Sequence, residues 1–252
     1  MKKEELIVSE ENGICQIELN RFIVNSTLLG PTIWNGLREN TRNGFHCATF
    51  PETIEILYGL YENKENERVY KLLELLKDKI FCGNTAVLHT AKGMYVQDEP
   101  IIDSNKDVLF ADLEERDLEK RLETEENGVL YSKDKKIRKV PYNFKTGYLF
   151  PKDFSKNSGL IAIVGSEENA EKTIKLLEFS KSKEWSKVHF RVYGATLLYS
   201  DGTEEPCPSL FEENMKRIPD MRGGVMSVVK SGIEDWLHGG IRYTFSIKRR
   251  EK

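Results

Sequence analysis

The chain has 252 residues, 31% of them charged and 39% hydrophobic, with a formal net charge of −3. That length suits one globular domain or two small ones with a sizeable core. Eighteen Gly and eight Pro are too ordinary a content for a fibrous or disordered chain. The slight acidic excess excludes a globally basic nucleic-acid binder and leaves room only for a local basic patch.

Cys15, Cys47, Cys82 and Cys207 are far apart in a chain too long for a small disulfide scaffold, so they read as reduced thiols. The stretch MKKEELIVSEENG holds only Leu6–Val8 as an apolar segment before charges return, shorter than a secretory signal requires. The longest purely apolar run is Leu160–Val164, against the roughly 20 residues of a membrane helix. The expectation is a cytoplasmic protein with no membrane contact.

In chain order, Leu6–Val8 and Ile14–Leu19 flank Asn12-Gly13 and predict a hairpin with Cys15, Ile17 and Leu19 on one face. Residues 20–48 contain Gly30-Pro31 and Asn-Gly pairs, which predict loops and short pieces. Thr49 and Glu52 have capping-box spacing with Pro51 in the first turn, and Ile54, Leu57, Tyr58 and Tyr61 follow at helical spacing. A second helix is predicted from about Glu65 to Ile80, with Val69, Leu72, Leu73, Leu76 and Ile80 as its stripe and Gly83 as its stop. The two helices read as an antiparallel pair over about 50–80.

TAVLHTAKGMYVQDEP, residues 85–100, reads as a hairpin turning at Gly93. Residues 112–126 read as a polar helix with Asp112–Arg116 and Asp117–Arg121 as i,i+4 pairs. Val129–Tyr131 begins a strand. GLIAIVGSEENAEKTIKLLEF reads as a buried strand, a glycine turn and a helix, a βα unit over about 159–180. KVHFRVYGATLLYSDG predicts one or two strands, and Ser209 with Glu212 a short capped helix. Residues 224–238 are ambiguous between helix and strand, and Ile241, Tyr243, Phe245 and Ile247 line one face of a final strand. The sum is an α+β fold: mainly antiparallel sheets built from hairpins, packed on the helical pair and the βα unit. It is expected as a single domain over 1–252, with a possible division into 1–126 and 127–252.

Four features bear on chemistry. A glycine turn at a helix N-terminus can hold a phosphate. Here Ser166, Glu167, Glu168 and Glu171 follow Gly165, and those carboxylates complement the helix end and repel an anion, so Ser166 reads as an N-cap. His46-Cys47 and Cys82 with His89 bracket the helical pair and offer a thiol with a base. No CxxC or HxxxH spacing accompanies them, so no metal or cofactor is called for. The run YSKDKKIRKVPYNFK sets Lys135, Lys136, Arg138 and Lys139 among Tyr131, Tyr142 and Phe144, a pattern suited to phosphates and stacked bases. Residues 110–126 hold eight acids and three bases, however, and residues 131–145 hold six bases and one acid, so the two segments can neutralise one another. Gly223-Gly224 and Gly239-Gly240, around Trp236 and His238, suit a mobile flap but more simply mark turns. The sequence favours a non-catalytic protein that binds another protein or a nucleic acid through surface loops. The alternative is a thiol-dependent hydrolase or transferase using Cys82 or Cys47 with His89 or His46.

Overall fold

The computed structural model describes residues 6–11, 14–19, 22–25, 44–76, 80–90, 92–100, 113–144, 147–149, 155–180, 188–190, 197–198, 204–205, 224–228, 242–243 and 245–249. The chain runs through β1 (Leu6–Glu11), β2 (Ile14–Leu19), β3 (Phe22–Asn25), β4 (His46–Cys47), α1 (Phe50–Glu62), α2 (Glu67–Leu76), β5 (Ile80–Thr90) and β6 (Gly93–Asp98). It continues with α3 (Glu115–Glu119), β7 (Leu122–Glu126), β8 (Val129–Ser132), β9 (Ile137–Val140), β10 (Gly147–Leu149), α4 (Ser158–Val164) and α5 (Glu167–Ser180). Then come β11 (Val188–Phe190), β12 (Leu197–Leu198), β13 (Glu204–Glu205), β14 (Gly224–Val228), β15 (Arg242–Tyr243) and β16 (Ser246–Arg249). The class is α+β, with two mainly antiparallel sheets and several helices. Two compact units form: Met1–Gly83 with Glu178–Ser180 and Ser227–Lys252, and Asn84–Leu177 with Lys181–Met226.

In the first unit the strand order is β1-β2-β3-β16-β4, every pair antiparallel. Period-2 alternation aligns Ile17, Val24 and Ile247 in one cross-strand row and Leu19 with Phe22 in the next. Those side chains join Ile56, Leu60, Val69 and Leu73 of the helical pair in one buried cluster. Each such side chain is worth roughly 1.5–3 kcal/mol when fully buried. Helix α1 starts as its sequence predicts. Thr49 Oγ1 accepts from the Glu52 N–H at 3.3 Å, and the Glu52 carboxylate accepts from the Thr49 N–H at 2.9 Å. Gly59 lets α1 approach β2: a Cβ there would lie 2.4 Å from Leu19 Cδ2. β15 pairs in parallel with the start of β5, Arg242 opposite Ile80.

The second unit carries the order β5-β6-β9-β8-β7, all antiparallel, with β14 on the other side of β5. The centre of this sheet is covered on both faces, while Glu123–Glu126 of β7 are exposed. Tyr95 and Ile137 meet Leu118 of α3 on one face. On the other face lies α4, whose residues Gly159–Val164 are all buried and which packs on β6, β8 and β9.

Four expectations fail. Residues 159–164 are helical, not a strand. An unbroken apolar run has no periodicity to separate a buried strand from a buried helix. Its ends decide: the Asn157 side chain accepts from the Leu160 N–H at 3.1 Å, and Gly165 stops the helix in the left-handed region at φ 90°. The 112–126 helix shrinks to α3, and residues 122–126 form β7 instead. Asp117 accordingly meets Lys120 at 2.9 Å, while Arg121 lies 3.9 Å from Asp134. The second helix is described over Glu67–Leu76, and Ile80 belongs not to it but to β5. The last strand is likewise two, β15 and β16, with different partners. Residues 224–228, ambiguous in sequence, are strand. The predicted helix near Ser209, and Trp236, His238, Gly239-Gly240, Lys145 and Cys207, lie outside the described residues. Among the described residues no helix is long and apolar enough to cross a membrane.

Candidate functional site

The β7–β8–β9 meander carries the basic run, and its turns set the geometry. Asn127 and Gly128 have φ of 53° and 74°, the left-handed pair of a two-residue hairpin turn. In the next turn Lys135 sits at φ 56° and its N–H donates to the Ser132 carbonyl at 2.8 Å. The Asp134 carboxylate accepts from Ser132 Oγ at 2.7 Å and from the Lys136 N–H at 3.1 Å. Ser132 Oγ in turn accepts from the Ile137 N–H at 2.9 Å. The Ser132 hydrogen bond, opposed by partial burial and aided by the Lys136 N–H, holds the Asp134 carboxyl below its ordinary value. Lys133, Asp134, Lys135 and Lys136 therefore stand exposed on a loop whose backbone is fixed.

Each of the four basic residues singled out in the run meets a carboxylate in its own unit. Lys135 Nζ lies 2.9 Å from Glu126, and Lys136 pairs with Glu99. Arg138 is 1% exposed. Its Nη1 and Nη2 donate to Asp98 at 2.5 and 2.8 Å, and its Nε donates to the Ala162 carbonyl. Thr85 Oγ1 adds a bond to the same Asp98 carboxylate at 2.6 Å. Ala162 lies in the last turn of α4, where carbonyls lack helical partners, so a guanidinium there both satisfies an acceptor and complements the helix dipole. Gly165 N–H and Asn169 Nδ2 serve the Ile161 and Val164 carbonyls at 2.8 and 2.9 Å. Arg138 is thus a structural tie between β9, β6 and α4.

Lys139 is also buried, with Nζ 2.8 Å from Glu119. The same carboxylate accepts the Tyr95 hydroxyl. Burial pushes the Tyr95 phenol up, and the Glu119 hydrogen bond and charge push it further. Burial would also raise Glu119, but the hydrogen bonds from Lys139 and Tyr95 outweigh it and lower that carboxyl. Tyr142 is half-buried, its ring centroid 6.3 Å from that of Phe144, which lies against Gly159.

The predicted thiol pairs are placed as follows. His46 and Cys47 are neighbours on β4, so they leave the strand on opposite faces. Cys47 is 1% exposed and His46 half-buried. Cys82 and His89 belong to one strand, β5. At about 3.3 Å per residue, the seven steps between them span roughly 23 Å of extended backbone. Among the described residues no group of three or more His, Cys, Asp or Glu could hold a metal ion. Ser166 acts as an N-cap, accepting the Asn169 N–H at 3.1 Å.

The residues that sequence reasoning missed are the partners from outside the acidic segment: Asp98, Glu99, Thr85 and Tyr95. Asp98 and Arg138 are diagonal neighbours on one face of the sheet, which is visible only once the β6/β9 register, Val96 opposite Arg138, is known. No protein-family model matches the chain, and no curated protein or solved structure matches it.

Proposed function

We propose that this protein acts without catalysis, by binding another macromolecule, and that its partner is a protein docking on the exposed β8–β9 loop. The observation that carries the reading is the fixed loop Lys133–Lys136, exposed on a rigid meander. A loop already held in one conformation loses little entropy on docking, and rigid scaffolds commonly present recognition residues this way. A protein partner is favoured over nucleic acid because Lys135, Lys136, Arg138 and Lys139 each face a carboxylate, against which a phosphate backbone would have to compete. The thiol-dependent alternative gains no support from the buried Cys47 or from the spacing of Cys82 and His89 along β5.

The test is Lys133→Glu with Lys136→Glu, two exposed positions whose change leaves the buried ties intact. Affinity purification with the wild-type chain should recover a stoichiometric protein that the double variant loses. Recovery of the same protein by both would remove the loop from the reading. Salt-sensitive retention on DNA or RNA at about 0.1 M salt, lost in the variant, would replace the protein partner with nucleic acid.

A further inference from the structure

Arg249 donates to the Glu52 carboxylate at 2.7 and 3.1 Å across 197 residues of sequence. It does so because β16 is laid between β3 and β4. Ser246 pairs with Asn25 on one side and Cys47 on the other, and Ile247 with Val24 and His46. The Ala48 N–H donates to the Phe245 carbonyl at 2.9 Å. Ile247 and Phe245 are both buried in the cluster shared by β2, β3 and the helical pair. In the second unit the pairs β5/β6, β7/β8 and β8/β9 are successive in sequence; β6/β9 reaches further, and β14 joins the far side of β5 from later in the chain.

We infer that β16 is a closing latch for the first unit, while the second unit holds its structure whether or not the latch is seated. The five central strands β5 to β9 of the second unit are complete once the chain has reached Val140, mostly through short loop closures, and β14 only adds to their edge. The first unit cannot complete its sheet until the chain has run on through the whole second unit. With β16 absent, β3 and β4 each lose their ladder partner on that side, and the row Ile17–Val24–Ile247 is left open at its end. Such an open edge beside apolar side chains is a template for pairing with another strand. The latch therefore also governs whether the first unit exposes a sticky edge. The Glu52–Arg249 pair sits where β16 reaches the N-terminus of α1, so the latch fastens helix and sheet together.

Amide hydrogen exchange read by mass spectrometry on the full chain tests this with Ile247→Ala. The expected result is exchange at least about tenfold faster in β2, β3 and α1, with β6, β8 and β9 within about twofold of wild type. Equal acceleration in β6, β8 and β9 would overturn the inference, because the units would then open as one. Acceleration confined to β16 would overturn it too, because the strand would then be an ornament on a finished sheet. The wild-type chain gives a second reading that needs no variant. In a series of sub-denaturing urea concentrations, β3, β16 and α1 should share one opening step and β6, β8 and β9 another. One common step for all of them rejects the latch.

Discussion

The two units solve the problem of holding strands together with different interactions. The first uses apolar rows: Ile17–Val24–Ile247 and Leu19–Phe22 run across the sheet beneath α1 and α2. Its charged tie, Glu52–Arg249, lies at the end of a helix, and the arginine is 40% exposed. The second unit places charge inside, with Arg138 and Asp98 at 2% and 10% side-chain exposure between the sheet and α4. Apolar rows are tolerant, because volume-conserving swaps cost little. A buried ion pair is not, because removing one partner strands a charge. The comparison teaches that the second unit should fail sharply at single positions, whereas the first should fail gradually except where backbones come close.

The largest expected effect tests that contrast directly. Asp98→Ala leaves the Arg138 guanidinium buried without its carboxylate and should cost the second unit about 3–5 kcal/mol. Denaturant unfolding followed by one probe in each unit should show that loss in the second unit alone. A cost below about 1 kcal/mol would mean that Arg138 escapes to water, and the contrast would lose its basis. Gly59→Ala comes next. The added Cβ must displace Leu19, and overpacking of this kind costs about 1–3 kcal/mol, confined to the first unit. A neutral or stabilising result would show that α1 can lift from β2. The smallest effect is pH dependence. Burial would raise the Glu52 carboxyl, but the hydrogen bonds from Arg249 and the Thr49 N–H outweigh it, and the folded pKa is lowered. The unfolded chain then binds the proton more readily, so this contribution is complete above the ordinary glutamate value of about 4.3 and fades as pH falls through the folded value. Thermal melts between pH 6 and pH 3 should show a shallower loss for Glu52→Gln than for wild type. Parallel curves would remove Glu52 from the acid response.

The same contrast explains what the sequence made legible. Helix α1 could be read because its cues are local: Thr49, Pro51, Glu52 and a spaced apolar stripe. The β1/β2 and β5/β6 hairpins could be read for the same reason. The β7/β8 hairpin was also written locally, in Asn127-Gly128, but the charges of 112–126 mimic a helical surface and hid it. LIAIV could not be read, since a segment buried on every side carries no period. Nor could the division of residues 241–249 into two strands, because alternation says which face a residue takes and not which sheet receives it. At the candidate site the basic run was visible and so was the acidic segment that could neutralise it. Glu126 and Glu119 do come from that segment. Asp98 and Glu99 do not, and only the strand register brings them to Arg138 and Lys136.

Tyr95 gives the molecule a weakness at the opposite end of the pH scale. Its phenol anchors α3 through Glu119, and its proton is held more tightly than in an open chain. A group whose folded pKa is raised lends its full support below the ordinary tyrosine value of about 10 and withdraws it as alkali takes the proton. Once ionised, the phenolate faces the Glu119 carboxylate at hydrogen-bond range, and two negative charges replace one shared proton. In strong base, then, α3 should be the first helix of the second unit to let go, and the ultraviolet rise of tyrosinate at that phenol would mark the moment of release.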